Sequence, residues 1–252
     1  MKKIYLFYKY LFSKIFFKSF DNKYKIENKS VYDLYYADQI RLCYSYFKKF
    51  FNNSLFFSNE KNILEFSCNC AIDLFKKLKI SKKNIVLDDY LFLEFGVYKG
   101  FSINIISKFS KVYGFDSFAG LSQHWKSGFL DHVKGTYKSN EKFKNNNPDI
   151  VIIKGKVEDT LKKFLTINKK FLFVHLDLDT YSATKFVLNN LKKYINEDGV
   201  IMHFGQIYNF TGWKYGEFRA FKEEIIKDKN FRFVFLGFNV NHTSASVKVF
   251  RI

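Results

Sequence analysis

At 252 residues, 47% of them hydrophobic and 21% aromatic, the chain is long enough for one large α/β domain, alone or with a helical extension. The net charge of +18 would suit a polyanionic partner, but only Arg41, Arg219, Arg232 and Arg251 are arginines and the lysines are scattered, so no nucleic-acid partner is expected. Three cysteines, Cys43, Cys68 and Cys70, are too few and too unevenly spaced for a disulfide framework and read as buried free thiols.

The first twenty residues are aromatic and basic. Lys9, Lys14 and Lys18 interrupt every apolar run, which argues against a secretory signal or a spanning helix. The stretch reads as an amphipathic helix packed on the domain or in the interface of an expected homo-oligomer. Peripheral contact of residues 1–20 with an anionic membrane surface is the alternative. Residues 31–80 carry helical spacing: Leu34, Tyr35, Leu42, Tyr46 and Phe50, then Ile63, Leu64, Ala71, Ile72, Phe75 and Leu78. An N-terminal helical extension over 1–80 and a main domain over 81–252 follow.

From residue 90 the chain alternates strand and helix. Strands are predicted over Tyr90–Phe95, Val112–Phe115, Ile150–Lys154, Phe171–Leu176 and Gly199–His203, and a hairpin over Phe231–Gly237 and Ser244–Arg251. The expected architecture is a Rossmann-like α/β fold: a mainly parallel, seven-stranded sheet with an antiparallel terminal strand. Its organising stretch is Leu91–Ser102, where a buried strand ends in an acid and runs through Glu94-x-Gly96-x-x-x-Gly100 into a helix. Glycines there let backbone N–H groups approach a ligand at the mouth of a parallel sheet. The three-glycine dinucleotide fingerprint is missing, which disfavours a nicotinamide cofactor.

Acids recur at the ends of later strands: Asp116, then Asp177 and Asp179. Strand alternation would put the last two on one face of an extended segment.

Five ordered blocks between Leu91 and Glu224 carry a closer likeness. GFDSFAGLSQHW (114–125), Gly135-Thr136-Tyr137, GKVEDTL (155–161), HLDLDTYSAT (175–184) and YNFTGWKYGEFRAF (208–221) resemble class I S-adenosylmethionine-dependent O-methyltransferases of the macrocin O-methyltransferase type, which act on sugars and macrolides. The resemblance implies S-adenosyl-L-methionine as cofactor. It implies contacts from Glu94, Phe95, Gly96, Gly100 and Ser102 near the methionine end, ribose contacts from Asp116 and Ser117, and adenine contacts from Val157 and Glu158. Asp177 would adjoin the cofactor too. The expected acceptor is a small molecule bearing a sugar hydroxyl, a nucleotide-linked sugar for a surface polysaccharide such as capsule or O-antigen, handled in the cytoplasm. Phe118, His124, Trp125, Tyr181, Gln206, Tyr208 and Trp213 are the candidates to line its pocket, since aromatic faces pack on sugar C–H surfaces.

The chain departs from this pattern where metal-dependent relatives carry an acidic pair after the fifth strand. Gly205 and Gln206 stand there, and neither is a good Mg²⁺ ligand. Mg²⁺ is therefore not expected, with Asp177 the one residue retained from such a site. Catalysis would fall to Asp177, Asp179 and His203, the histidine taken as a general base. A non-catalytic methyltransferase-like module and a small-phenol methyltransferase are the rival readings.

Overall fold

A computed structural model describes residues 30–82, 84–126, 131–139, 146–166 and 170–252. The aromatic, basic stretch 1–20 lies outside the described residues. In chain order the elements are α1 (Val31–Phe51), β1 (Leu55–Phe57), α2 (Glu60–Ser81), β2 (Tyr90–Phe95), α3 (Phe101–Ile106), β3 (Val112–Asp116), the two-residue pair β4 (Trp125–Lys126) and β5 (Asp131–His132), and β6 (Ile150–Lys154). There follow α4 (Val157–Phe164), β7 (Lys170–Leu176), α5 (Tyr181–Leu191), β8 (Val200–Phe204), α6 (Glu217–Phe221), β9 (Phe231–Asn239) and β10 (Ala245–Arg251).

Eight strands form the main sheet in the order β1-β9-β10-β8-β7-β2-β3-β6. The neighbours β6, β3, β2, β7 and β8 run parallel, as a βα repeat requires. The terminal strand β10 is antiparallel to both β8 and β9 and lies between them. The sheet has one strand more than the seven expected, because Leu55–Phe57 pairs with β9. Three residues between two helices carry too little alternation to announce a strand.

Helices cover both faces. On one face α2 and α3 bury Leu64, Cys68, Ile103 and Ile106 against Phe92, Leu172 and Ile201. On the other, α1, α4, α5 and α6 bury Phe47, Leu161, Val187 and Phe218 against Leu93, Val174, Met202 and Val247. The N-terminal helices are thus part of the sheet's cover.

Ser30 and Asp33 close a capping box at the start of α1, and the Asn59 side chain caps α2 by accepting the N–H of Asn62. The face that α1 buries is Ala37, Ile40, Cys43 and Phe47, while Leu34, Tyr35 and Leu42 are exposed. A chain this rich in aromatics offers more than one apolar stripe, and the stripe that fits beneath the helix is the one ending in Phe47, whose ring meets Tyr208, Trp213, Phe218, Phe235 and Phe238. Among the described residues, no helix is long and apolar enough to cross a membrane.

Candidate active site

The carboxyl ends of β2, β3, β6, β7 and β8 open into one cavity of about 560 Å³, large enough for a cofactor with an acceptor beside it. Gly96 turns the chain out of β2 at φ +93°, and a Cβ there would overlap the backbone carbonyl of Asp177. Glycine at this position lets β2 and β7 exit side by side, with the Asp177 N–H donating to the Phe95 carbonyl at 2.9 Å. Gly100, at φ +84°, starts α3.

Asp116 works first on the protein itself. Its Oδ2 accepts the N–H groups of Val97 (2.9 Å) and Tyr98 (2.7 Å), and its Oδ1 accepts that of Phe118 (2.7 Å). A carboxylate offers about four acceptor sites, so one remains towards the cavity that Asp116 and Ser117 both line. The two glycine-containing blocks after β3 meet: Leu121 and the 135–136 segment exchange backbone bonds of 2.9 Å, and a Cβ on Gly120 would strike the carbonyls of Gly135 and Thr136. This docking brings Tyr137 to the cavity wall. Val157 and Glu158 line the cavity beside Gly155 and Lys156.

Glu94 lies one layer below. It is fully buried, accepts from Ser102 Oγ and pairs with His175 Nδ1 at 3.0 Å, and its Oε2 has no partner. Ser102 and His175 reach the cavity wall, whereas Phe95 and Gly100 stand behind it, Phe95 stacked on Phe115. The bond to Glu94 raises the pKa of His175 against the opposing effect of complete burial.

A second group of acids gathers where β7 and β8 end. Asp177 sits against Gly205: a Cβ at 205 would overlap its carboxylate. Burial pushes the Asp177 carboxyl up to about 6, with His175 opposing and Glu60 and Glu94 reinforcing. Asp179 does not continue an extended strand. It adopts φ +59°, with the Thr180 N–H turned back on the Leu178 carbonyl, so simple alternation does not describe the pair. Burial and then Asp177 raise the Asp179 carboxyl, and its Oδ1 has no partner.

Glu217, at the start of α6, completes the group. It accepts the N–H of Leu178 on Oε1 and of Gln206 on Oε2, both at 3.0 Å, and so ties the β7 and β8 exits together. Complete burial and the neighbouring Asp177 raise its pKa despite those two bonds. Gln206 lines the cavity with Oε1 unpartnered.

His203 stands elsewhere. It is fully buried on β8 and in register with His175, their ring centroids 5.1 Å apart. Nδ1 meets Ser67 Oγ at 2.9 Å and Nε2 meets Glu60 Oε1 at 3.1 Å. Burial lowers its pKa, so the neutral ring prevails, and both ring nitrogens are engaged, Nε2 by Glu60 and Nδ1 by Ser67 Oγ, whose hydroxyl also reaches the Ile63 carbonyl at 2.8 Å. Both nitrogens a base would use are turned to side chains of α2.

The proposed acceptor-pocket residues divide likewise. Gln206 is at the wall. Tyr208 and Trp213 are core residues, the Tyr208 hydroxyl donating to the Asn239 carbonyl. Trp125 is buried and stacks on His132. Tyr181 donates to Glu223 at 2.5 Å beneath Arg219, His124 is exposed, and Phe118, at φ +56°, turns the loop after Asp116. Aromatic density explains why these rings were hard to sort by sequence: most of them are consumed by packing.

The site also uses three residues that the sequence reading did not single out: Glu60, His175 and Glu217. His175 and Glu217 lie inside the blocks quoted for the resemblance. Glu60 lies far upstream, and its acidic N1 position on α2 reads from sequence as ordinary helix-dipole chemistry.

The donor set fits S-adenosylmethionine: a glycine turn, an acid beyond the second parallel strand and a cavity of sufficient size in the crevice at the strand ends. It does not fit Mg²⁺. Among the described residues no group of three His, Cys, Asp or Glu is arranged to hold a metal ion, and Gly205 gives its side of the crevice to Asp177.

The fold is that of class I methyltransferases, and the crevice has a donor set that suits S-adenosylmethionine. Residues 93–203 match the family model described as a methyltransferase domain, so the stretch from the Glu94 turn to His203 is such a domain. Among solved structures, CalS11, a calicheamicin methyltransferase, aligns with a TM-score of 0.54 at 16% identity over 72% of this chain and 77% of its own. Its apo form, described as a TDP-rhamnose 3′-O-methyltransferase, gives 0.46 at 19% identity over 72% and 78%. A Bacillus cereus O-methyltransferase in complex with SAH gives 0.46 at 12% over 90% and 93%. At these identities the likeness is one of fold. No curated protein matches the chain.

Proposed function

We propose that the chain transfers a methyl group from S-adenosylmethionine to a sugar hydroxyl, on a nucleotide-linked sugar destined for a surface polysaccharide such as capsule or O-antigen. The observation that carries this reading is Asp177: a carboxylate at the cavity wall, braced against Gly205, with its pKa near 6. Ionised at neutral pH but strongly basic for a carboxylate, it suits proton removal from a hydroxyl. The likeness to CalS11 adds support at the level of fold, since that protein's described acceptor is a sugar.

The bound cofactor supplies the electrophilic methyl on a sulfonium. Asp116 and Ser117 accept ribose hydroxyls, and Val157 and Glu158 border the adenine. Asp177 takes the proton, while Asp179 and Gln206, each with an unpartnered buried oxygen, orient the acceptor by hydrogen bonds. Glu217 positions Gln206 and Leu178 through their N–H groups. His203 belongs to the supporting layer instead of supplying the base.

Incubation with isotope-labelled S-adenosylmethionine and a panel of nucleotide sugars, read by mass spectrometry, tests the reading. Label on a sugar oxygen is expected, with turnover that survives EDTA. Label on a phenol panel alone would favour the small-phenol alternative, and failure of the folded protein to bind S-adenosylmethionine in a calorimeter would remove the enzyme reading.

A further inference from the structure

Glu60 stands out among the cavity's acids because its three hydrogen-bond donors are all side chains. Its Oε1 accepts from His203 Nε2 at 3.1 Å. Its Oε2 accepts from Asn239 Nδ2 at 3.0 Å and from Ser244 Oγ at 2.7 Å. The three donors come from β8, β9 and the turn into β10, so the carboxylate of a helix is held by the far end of the sheet. His203 is held in turn: Ser67, one helical face along α2, occupies its Nδ1. The whole assembly is buried except for the Glu60 side chain, 36% exposed, which lines the cavity with Leu64, Gly96 and His175.

Three of the carboxylate's roughly four acceptor sites are filled, and the one partner within ion-pair distance among the described residues is the neutral His203 ring. Burial alone would raise its pKa, but the bonds from His203 and Ser244 outweigh burial and bring it down to about 2. A permanent, preoriented anion with one acceptor site open to a cavity calls for a cationic N–H donor.

We propose that Glu60 binds the α-ammonium group at the amino-acid end of the cofactor, with His203 as the positioning residue that aims it. The inference rests on the methyltransferase reading above. It follows from the order of the strands. Asp116 lies at the end of β3 and Glu60 against the end of β8, with β2 and β7 between. A nucleoside whose ribose meets Asp116 therefore extends its tail across Gly96 towards Glu60. The sulfonium carries no N–H and cannot fill the open acceptor site, whereas the ammonium can. Glu60 also lies on the α2 and α3 face with Glu94 and Ser102, whereas Glu217 belongs to α6 on the other face.

The test uses two probes that differ at that end. S-adenosylhomocysteine carries the ammonium, and 5′-deoxy-5′-methylthioadenosine shares the nucleoside and sulfur but lacks the amino-acid end. Calorimetry on the full chain should show Glu60→Gln weakening the first by roughly 10- to 100-fold, the range for one charge-assisted bond, and leaving the second unchanged. Glutamine keeps the length and can still accept from Asn239 and Ser244. His203→Gln should give a smaller loss in the same selective pattern, and should raise the KM for S-adenosylmethionine while sparing kcat at saturation. Equal weakening of both probes would reduce Glu60 to a structural role and overturn the proposal, as would unchanged affinity for both. Should Glu60→Gln fold poorly, Glu60→Asp, which withdraws the carboxylate by one methylene, is read by the same selectivity. Wild-type protein that binds neither probe would sink the methyltransferase reading itself, a result distinct from loss of selectivity.

Discussion

Two acidic flanks face each other across the crevice, and they differ in how well their oxygens are served. On the α2 side, Glu60 has three side-chain donors and is held near a pKa of 2. On the α5 and α6 side, Asp177 is raised to about 6 and Asp179 and Glu217 are raised well beyond the usual carboxylate range, with one Asp179 oxygen unpartnered. All are carboxylates, but Glu60 is 36% exposed whereas Asp179 and Glu217 are buried. Donors widen that difference: hydrogen bonds to the charged form offset desolvation on one side and fall short of it on the other. One flank is a standing anion suited to binding a cation; the other has in Asp177 a proton acceptor suited to chemistry.

The largest expected effect tests the chemical flank directly. Asp177→Asn should lower kcat by roughly 10²–10⁴-fold, the contribution of a positioned base, in initial-rate assays with labelled cofactor. A rate within threefold of wild type would move the base elsewhere. Next comes Gly205→Ala. The added methyl overlaps the Asp177 carboxylate, and a displacement of about 1 Å at the reacting group can cost on the order of 10²-fold. Circular dichroism should show the fold retained while kcat falls, and an unimpaired G205A enzyme would mean the Asp177 position is uncritical.

The pH dependence comes third and has two parts. Activity should rise with pH through about 6 as Asp177 ionises. Stability should move the opposite way. The folded Asp177 holds its proton more tightly than the unfolded one, so the stabilisation it brings is complete below about pH 4 and is lost as pH rises through 6. Its size is of order 3 kcal/mol. Denaturant titrations at pH 4, 5 and 7, comparing wild type with Asp177→Asn, isolate this term, and a wild-type advantage that grew with pH would contradict the raised pKa.

On the binding flank, Ser67→Ala leaves His203 Nδ1 without its partner and should cost about 1–3 kcal/mol in unfolding free energy, with kcat little changed. The smallest effect is expected from Tyr181→Phe. Lys185 and Arg219 still hold Glu223 on the half-exposed rim, so loss of the hydroxyl should cost less than about 1 kcal/mol and leave KM for the acceptor unaltered. A raised acceptor KM would put Tyr181 in the pocket after all.

Much of the parallel sheet was legible because its strands read as apolar runs bounded by glycine or acid, the central ones buried on both faces. Tyr90–Phe95 and Ile150–Lys154 match their predicted limits. The residues after those strands were legible for the same reason, since a ligand crevice follows from topology. Less was legible where the meaning of a residue depends on distant partners. His203 has the chemistry of a base, and only its pairing with Ser67 and Glu60, 136 and 143 residues away, turns that chemistry inward. Trp213 and Tyr208 look like sugar platforms until Phe47 is found packed on both. The α1 spacing marked a true helix but only part of its buried face, since Tyr46 and Phe50 pack on the core while Leu34, Tyr35 and Leu42 are exposed: aromatic surplus on several faces weakens periodicity as a guide.

Gly205 has a further consequence. With no side chain, it gives Asp177 the space its carboxylate now fills, so positions 177 and 205 compete for the same volume. Restoring an acid at 205 would force Asp177 into another rotamer before any ligand set could form. The two chemistries therefore exclude each other sterically. Grafting a metal centre into this crevice would require repacking both strand exits together, and a single Gly205→Asp exchange should yield a misaligned carboxylate without a functional ion site.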